Sequence, residues 1–343
     1  MVSIFSLTTL LLVSSCQAFV PALQLSSRKI ASECVDRDQQ QSRAFIGTRL
    51  SAADGAPQYE KIDAILQEAE KVAEGSYMLH VKVTNTSNNN NNNNKVGIIM
   101  EQYQPGHVLA LEIEDTSGDL NADAKQNGGW MRGPYTVSRA TKTSLDIMVR
   151  VVGKKSKAFA ESKPGTPVRF GGKFKVPILE GISKEKVQKA VFISTGVGIG
   201  PCLGAIELAM GDESFPPIAL VASFRELTDI AFGDHLDEIA RQNPSRFEWK
   251  PVVTSKTGRI SKSQDTMKAV TECIQDSAIS ETHFHLIGNG QLINEFREGL
   301  GNAGVPEDRI TVEQYFNHKA ESSTGVIETI SSSIIASNAL QQL

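Results

Sequence analysis

Eleven consecutive residues, Val191-Phe192-Ile193-Ser194-Thr195-Gly196-Val197-Gly198-Ile199-Gly200-Pro201, carry the clearest chemistry in the chain. Their apolar, β-branched start predicts a buried strand. The strand breaks into a loop with three glycines and closes on a proline suited to the first turn of a helix. Such a loop lets backbone N–H groups approach a ligand. The helix expected over 201–210 aims its positive end at the same place, so the guest it suits is a phosphate or pyrophosphate. The same run also suits a tight strand-to-helix turn that binds nothing, because the G-x-G-x-x-G fingerprint is absent.

The elements that must position this loop alternate. Strands are expected over 190–194, 218–223, 247–253 and 282–287, and helices over 201–210, 227–242, 263–276 and 291–303. Strand–helix alternation predicts a parallel sheet covered on both faces, with ligands bound beyond the carboxyl ends of its strands. Upstream the pattern is different. Short alternating runs at 77–83, 96–100, 107–113, 133–137, 144–152 and 167–171, with turns at Pro105-Gly106 and Pro164-Gly165, predict an antiparallel sheet or barrel. Seven asparagines at 88–94 interrupt it and cannot supply a core face, so they read as an insertion at a hairpin tip. Residues 59–74 place Ile62, Ile65, Leu66 and Ala69 at helical spacing, which predicts a helix.

The chain has 343 residues, 40% of them apolar and 22% charged, enough for two domains with ample cores. A net charge of −4 argues against nucleic acid as the main partner. Of four cysteines, Cys16 and Cys34 fall in a leader. Cys202 and Cys273, with no C-x-x-C spacing, form neither a disulfide framework nor a zinc site and read as small buried hydrophobes. Residues 2–13 are apolar and uncharged, and Cys16-Gln17-Ala18 ends in a small residue, as in a signal peptide. No other run reaches membrane-spanning length. The Ser- and Arg-rich stretch over 24–50 behind it, with Ala18-Phe19-Val20-Pro21 at the junction, resembles the bipartite presequence of algae with secondary plastids. A plastid destination is implied. A secreted protein with a polar pro-segment is the alternative.

Several motifs in order over 77–316 resemble the ferredoxin–NADP reductase superfamily, and within it the chloroplast reductase-like branch. Pro105-Gly106-His107 resembles its Pro-Gly-Gln. Arg132-Gly133-Pro134-Tyr135-Thr136-Val137-Ser138 resembles its flavin motif Arg-x-Tyr-Ser-x-x-Ser. Gly153-Lys154-Lys155-Ser156 with Phe159, then Lys163-Pro164-Gly165, resembles the segment touching the FAD pyrophosphate. The glycine loop resembles Gly-Gly-Thr-Gly-Ile-Ala-Pro, Leu286-Ile287-Gly288-Asn289-Gly290 resembles the Cys-Gly-Pro motif, and Gly304-Val305-Pro306 through Phe316 resembles the last strand.

The resemblance implies an antiparallel β-barrel that binds FAD, followed by a Rossmann-like α/β domain that binds a nicotinamide nucleotide. The expected plan is a signal peptide (1–18), a transit-like segment (19–50), an N-terminal helical extension (51–75), a barrel (76–182), an α/β domain (183–317) and a polar or weakly helical tail (318–343). Tyr135 would stack on the flavin ring and Thr136 would bond its edge, with Val137 and Ser138 completing the motif. Arg132, Lys155 and Ser156 would meet the pyrophosphate. Thr195, Gly196, Gly198, Pro201 and Gly288 would hold the dinucleotide. Ser255, Lys256 and Arg259 would hold a 2′-phosphate, favouring NADP over NAD because no acidic residue occupies that loop. Glu313 is a candidate for a proton or charge role near the flavin.

The implied function is an FAD-dependent oxidoreductase passing electrons between NADPH and an acceptor, such as ferredoxin or another small redox carrier. Lys154, Lys155, Lys157, Lys163, Arg169, Lys173 and Lys175 would supply a basic docking face, or simply a solvated surface. The chain departs from the family in four places. Arg132 is one residue too far from Tyr135, Arg139 replaces the second serine, Val197 replaces the threonine of the glycine loop, and Ile287 replaces the cysteine beside the nicotinamide. The losses at Val197 and Ile287 motivate an alternative, a plastid flavin- and nucleotide-binding or scaffold protein with weak turnover. A nucleotide-binding module without flavin is a further reading.

Overall fold

The computed structural model describes residues 59–84, 100, 102–117, 122–175, 177–255, 259–274, 278–315 and 324–341. The stretch expected to be a presequence, the asparagine run and most of the strand expected at 96–100 lie outside the described residues, and so does Lys256.

Six antiparallel strands close into a barrel in the order β1-β2-β5-β4-β3-β6. They are β1 (Lys61–Ala73), β2 (Ser76–Val83), β3 (Val108–Glu114), β4 (Trp130–Ala140), β5 (Ser144–Arg150) and β6 (Thr166–Phe174). Two short helices, α1 (Ala122–Gln126) and α2 (Lys154–Ala160), sit between strands. Alternate residues point inward, so Leu79, Val81, Leu109, Leu111, Val137, Ile147, Val168 and Phe170 fill the interior.

The helix expected over 59–74 is instead β1, the first strand of the barrel. Ile62, Ala64 and Leu66 are buried at period two, while Glu68, Glu70 and Lys71 face solvent. The strand pairs β2 on one side and β6 on the other, closing the barrel. That two-sided pairing outweighs the helix propensity of a run rich in Glu, Ala and Lys.

The second half is a five-stranded parallel sheet, ordered β11-β10-β7-β8-β9. Its strands are β7 (Lys189–Thr195), β8 (Ile218–Phe224), β9 (Phe247–Val253), β10 (Thr282–Asn289) and β11 (Ile310–Tyr315). Helices α3 (Ile199–Met210) and α4 (Gly233–Gln242) contribute to the core on one face. Helices α5 (Arg259–Ile274), α6 (Gly290–Asn302) and α7 (Thr324–Gln341) cover the other. Burial on both faces explains strands such as β8, in which all seven residues are buried. Cys202 and Cys273 are free and buried, as expected. The polar or weakly helical tail expected past 318 is, over 324–341, a helix packed into the domain. Val326, Ile330 and Ile334 join the core, and Ile330 lies against Gly299 of α6. No helix among the described residues is long and apolar enough to cross a membrane.

The barrel and the sheet share a core. Met78 and Met148, paired across β2 and β5, point outward from the barrel into the cluster built around α3. Helix α3 approaches β4 and β5 so closely that two of its positions admit no side chain. A Cβ at Gly200 would lie 2.6 Å from the Met148 Cβ, and one at Gly204 would overlap the Ser138 carbonyl oxygen. Gly204→Ala is therefore expected to cost about 1–3 kcal/mol, the usual range for overpacking. Thermal unfolding would show the loss as a lowered midpoint. Gly301→Ala is the control, since its Cβ meets nothing within 4 Å. Equal midpoints for the two variants would contradict the packing.

Candidate active site

The glycine loop lies at the carboxyl edge of the parallel sheet. Gly196 takes a left-handed φ of +55° and opens a 3-10 turn, Gly196–Gly198, that runs directly into α3. A Cβ added at Gly196 would meet nothing within 4 Å, so the turn's outer surface is open. At Gly198 a Cβ would press on the Ile287 carbonyl oxygen at 2.9 Å, so this glycine lets the turn lie against the end of β10. Pro201 is the third residue of α3 and buried. Its missing N–H belongs to the unpaired first turn, so it costs the helix no hydrogen bond.

The Thr195 hydroxyl is used within the sheet as an acceptor. Its Oγ1 accepts the Asn289 N–H at 2.7 Å and so ties β7 to β10. Gly288 has φ +127° at this tie, where a side chain would collide with Thr195. Both residues shape the site from behind.

On the barrel side, β4 delivers the expected flavin residues with mixed results. Tyr135 packs edge-on against Phe159 of α2, with ring centroids 5.5 Å apart. Thr136 is buried and donates its hydroxyl hydrogen bond to the Glu313 carboxylate. Ser138 has a buried hydroxyl with no hydrogen-bond partner, beside Gly200 at the start of α3. Val137 is not available to a ligand. Its side chain belongs to the barrel core, and its N–H and C=O are bonded to the His107 carbonyl and the Gly106 N–H.

Of the residues expected at the pyrophosphate, Lys155 and Ser156 have side chains engaged by the protein, and Arg132 is held through its backbone. Lys155 pairs with Asp123 at 3.1 Å and donates to the Arg132 carbonyl, while the Arg132 N–H bonds the same aspartate. Ser156 Oγ accepts the N–H groups of Val152 and Gly153 and so caps α2. The basic run is likewise matched by carboxylates. Lys154 pairs with Asp115, Lys157 with Glu161 and Arg169 with Glu112. Of the 2′-phosphate set, Ser255 is exposed, Lys256 lies outside the described residues, and Arg259 is described only as the start of α5.

Glu313 on β11 is the electrostatic centre. It is only 5% exposed. Burial pushes its carboxyl up to about 7, against opposing pulls from Thr136, Lys175 and Tyr315. Lys175 follows β6 with a left-handed φ of +68°, and burial lowers its ammonium. Tyr315, two residues along β11, shares the face of Glu313 and interacts with it and with Thr136. Ser194 adds a second buried hydroxyl without a partner. The group is a buried acid, a hydroxyl and a phenol brought together where β4 of the barrel meets β11 of the sheet.

Residues 192–298 match the family described as oxidoreductase NAD-binding domain. No curated protein sequence matches the chain. Among solved structures, flavohemoglobin from Malassezia yamatoensis is 17% identical with a TM-score of 0.59, covering 84% of this chain and 69% of its own. A ferredoxin NADP+ reductase from Neisseria gonorrhoeae is 15% identical with a TM-score of 0.57, covering 76% of this chain and 100% of its own. By fold, the chain is similar to ferredoxin–NADP+ reductases. Ferredoxin–NADP+ reductase from Plasmodium falciparum is also similar, at 12% identity and a TM-score of 0.52, over 74% of this chain and 96% of its own.

In this ferredoxin–NADP reductase fold, Tyr315, Lys175, Ser194 and the pairing of Arg139 were not among the expected site residues. Tyr315 was open to discovery, because Glu-x-Tyr on one strand places both side chains on one face. The others depend on contacts between distant elements.

The raised Glu313 carboxyl has a consequence for stability. The native chain holds its proton up to about 7, whereas the reference value is 4.5. Its contribution is full below 4.5 and is lost as pH rises through about 7. Glu313→Gln should remove that slope in urea-unfolding midpoints and gain on the parent above the window. An unchanged slope would show that Glu313 titrates normally.

Proposed function

We propose that the protein is a flavin-dependent oxidoreductase that passes electrons between NADPH and a separate redox carrier. One observation carries this reading: a buried hydrogen bond joins Thr136 of the barrel to Glu313 of the parallel sheet. It lies where a flavin ring on the barrel and a nicotinamide from the sheet edge would meet. The residues suit both groups. The left-handed Gly196 turn leaves its outer surface open, and the buried Ser138 and Ser194 hydroxyls lack partners in the protein. The similarly folded reductase from Neisseria gonorrhoeae has FAD and NADP bound.

Bound FAD would supply the chemistry, taking a hydride from NADPH and releasing electrons to the carrier. The chain's own residues set the conditions. Tyr135 is braced by Phe159 and fixes one side of the flavin place. Thr136 Oγ1 and the Glu313 carboxylate hold a proton near neutrality. Gly196 and Gly198 bring backbone N–H groups to the nucleotide. Ser255 and Lys256 would select NADPH through its 2′-phosphate. The presequence supports a plastid address. Pairing of Lys154, Lys155, Lys157 and Arg169 with carboxylates removes most of the basic run as a ready ferredoxin face.

The purified protein should be yellow or take up FAD, and anaerobic NADPH should bleach the flavin within seconds. A colourless protein that FAD cannot reconstitute would end this reading. Flavin that binds but bleaches only over hours would favour the weak-turnover alternative, consistent with buried Ile287 at the sheet edge. Lys256→Ala should weaken NADPH binding about tenfold and leave NADH binding unchanged, because a charge-assisted hydrogen bond is worth about 1.5–3 kcal/mol. Equal losses for both nucleotides would remove Lys256 from the 2′-phosphate site.

A further inference from the structure

Arg139 stands where the family motif has a serine, and it does not face the flavin place. Its guanidinium crosses to α3 and grips Glu207 with two hydrogen bonds, Nε to Oε2 at 2.6 Å and a terminal nitrogen to Oε1 at 2.7 Å. The pair is one link in a longer chain of charge. Glu70 on β1 meets His80 on β2 at 3.3 Å, and His80 meets Asp146 on β5 at 2.9 Å. Asp146 meets Arg139 on β4 at 3.5 Å, and Glu207 meets His235 on α4 at 2.7 Å. Six side chains thus run without a break from the first barrel strand to the second helix of the α/β domain.

Three features separate the Arg139–Glu207 link from an ordinary surface pair. Both side chains are about two-thirds or more covered, at 31% and 29% exposed, so water screens them less. The contact is bidentate, which fixes direction as well as distance. Both ionised forms are reinforced. The Glu207 hydrogen bond holds the Arg139 guanidinium protonated. Burial pushes the Glu207 carboxyl up, but hydrogen bonds from Arg139 and His235 outweigh it and keep the carboxyl below its usual range.

Position gives the link its meaning. Strand β4 touches the α/β domain at three places within four residues. Thr136 bonds Glu313 of β11, the Ser138 carbonyl abuts Gly204 of α3, and Arg139 grips Glu207 of α3. The same strand carries Tyr135, and the same helix begins at the glycine turn. We propose that Arg139 is a positioning residue, whose fork on Glu207 sets the register between the flavin-facing strand and the nucleotide-binding helix. This rests on the reading that flavin and nicotinamide meet at the Thr136–Glu313 junction. A rotation of α3 about the Gly204 contact would shift the glycine turn against Tyr135, and hydride transfer is sensitive to displacements of about 1 Å.

Arg139→Ser, Glu207→Gln and the double variant test this in the full chain. NADPH-driven bleaching of the FAD-loaded protein should slow about tenfold in each single variant, with FAD and NADPH affinities held within about twofold. The double variant should be no slower than either single one, because both remove the same link. Arg139→Lys, which keeps the charge but loses the fork, should recover only part of the rate. The cofactor-free chain gives an independent readout. Amide exchange should quicken in the first turns of α3 in Arg139→Ser and Glu207→Gln alike. Unchanged bleaching, additive losses, or a loss explained by weaker FAD binding would overturn the proposal. If the parent chain takes no flavin, the oxidoreductase reading fails. Exchange then decides the register alone, quickening in α3 supporting the clamp and unchanged exchange overturning it.

Discussion

How closely helix α3 lies against strand β4 decides the rest of the structure. The approach requires bare backbone at Gly200 and Gly204, since a Cβ at either would collide with Met148, Ser138 or both. With those positions empty, the helix packs on the barrel and Met78 and Met148 complete the core it shares with the sheet. The glycine turn at its start is then fixed beside the strand that carries Tyr135 and Thr136. A barrel and a parallel sheet become one site because two side chains are missing.

The second constraint is electrostatic. An isolated carboxylate in an apolar cleft is costly, and the group relieves that cost by keeping its proton. Glu313 does so up to about 7. Its neighbours include the Thr136 hydroxyl, the Tyr315 phenol and the Lys175 ammonium, whose pulls oppose the effect of burial without cancelling it. The barrel surface behaves in the opposite way. There Asp115, Asp123, Glu112 and Glu161 answer Lys154, Lys155, Arg169 and Lys157 one by one. A run of cations in sequence becomes a set of local pairs in space.

The α/β half was legible because each parallel strand is a continuous apolar run bounded by turn residues, and the glycine loop marks its own place. Strand β1 was not legible. Its Ile62, Ile65, Leu66 and Ala69 fit a helical stripe as well as a strand, and only pairing with β2 and β6 decides between them. Helix α7 was underestimated because its few charges and many serines give it a weak stripe, although Ile330 fills the space above Gly299. In the site, motif matching singled out Tyr135, Thr136 and Glu313, and the fold sets Thr136 against Glu313 and Tyr135 against Phe159. Motif matching also drew in Val137, Thr195 and Ser156, whose bonding groups the fold uses itself. Arg139 looked like a defect in the motif. Its partner is Glu207, 68 positions away, and no spacing rule connects them.

The Thr136–Glu313 junction as the meeting place of the two rings is tested most directly by isotope. NADPH carrying deuterium at C4 of the nicotinamide, on one face or the other, would be mixed anaerobically with the FAD-loaded protein and flavin bleaching followed. A nucleotide held by the glycine turn against a flavin at Thr136 presents one face only, so one isomer should bleach the flavin severalfold more slowly and the other at the rate of unlabelled NADPH. Equal rates for both isomers and the unlabelled nucleotide would contradict direct transfer at this junction.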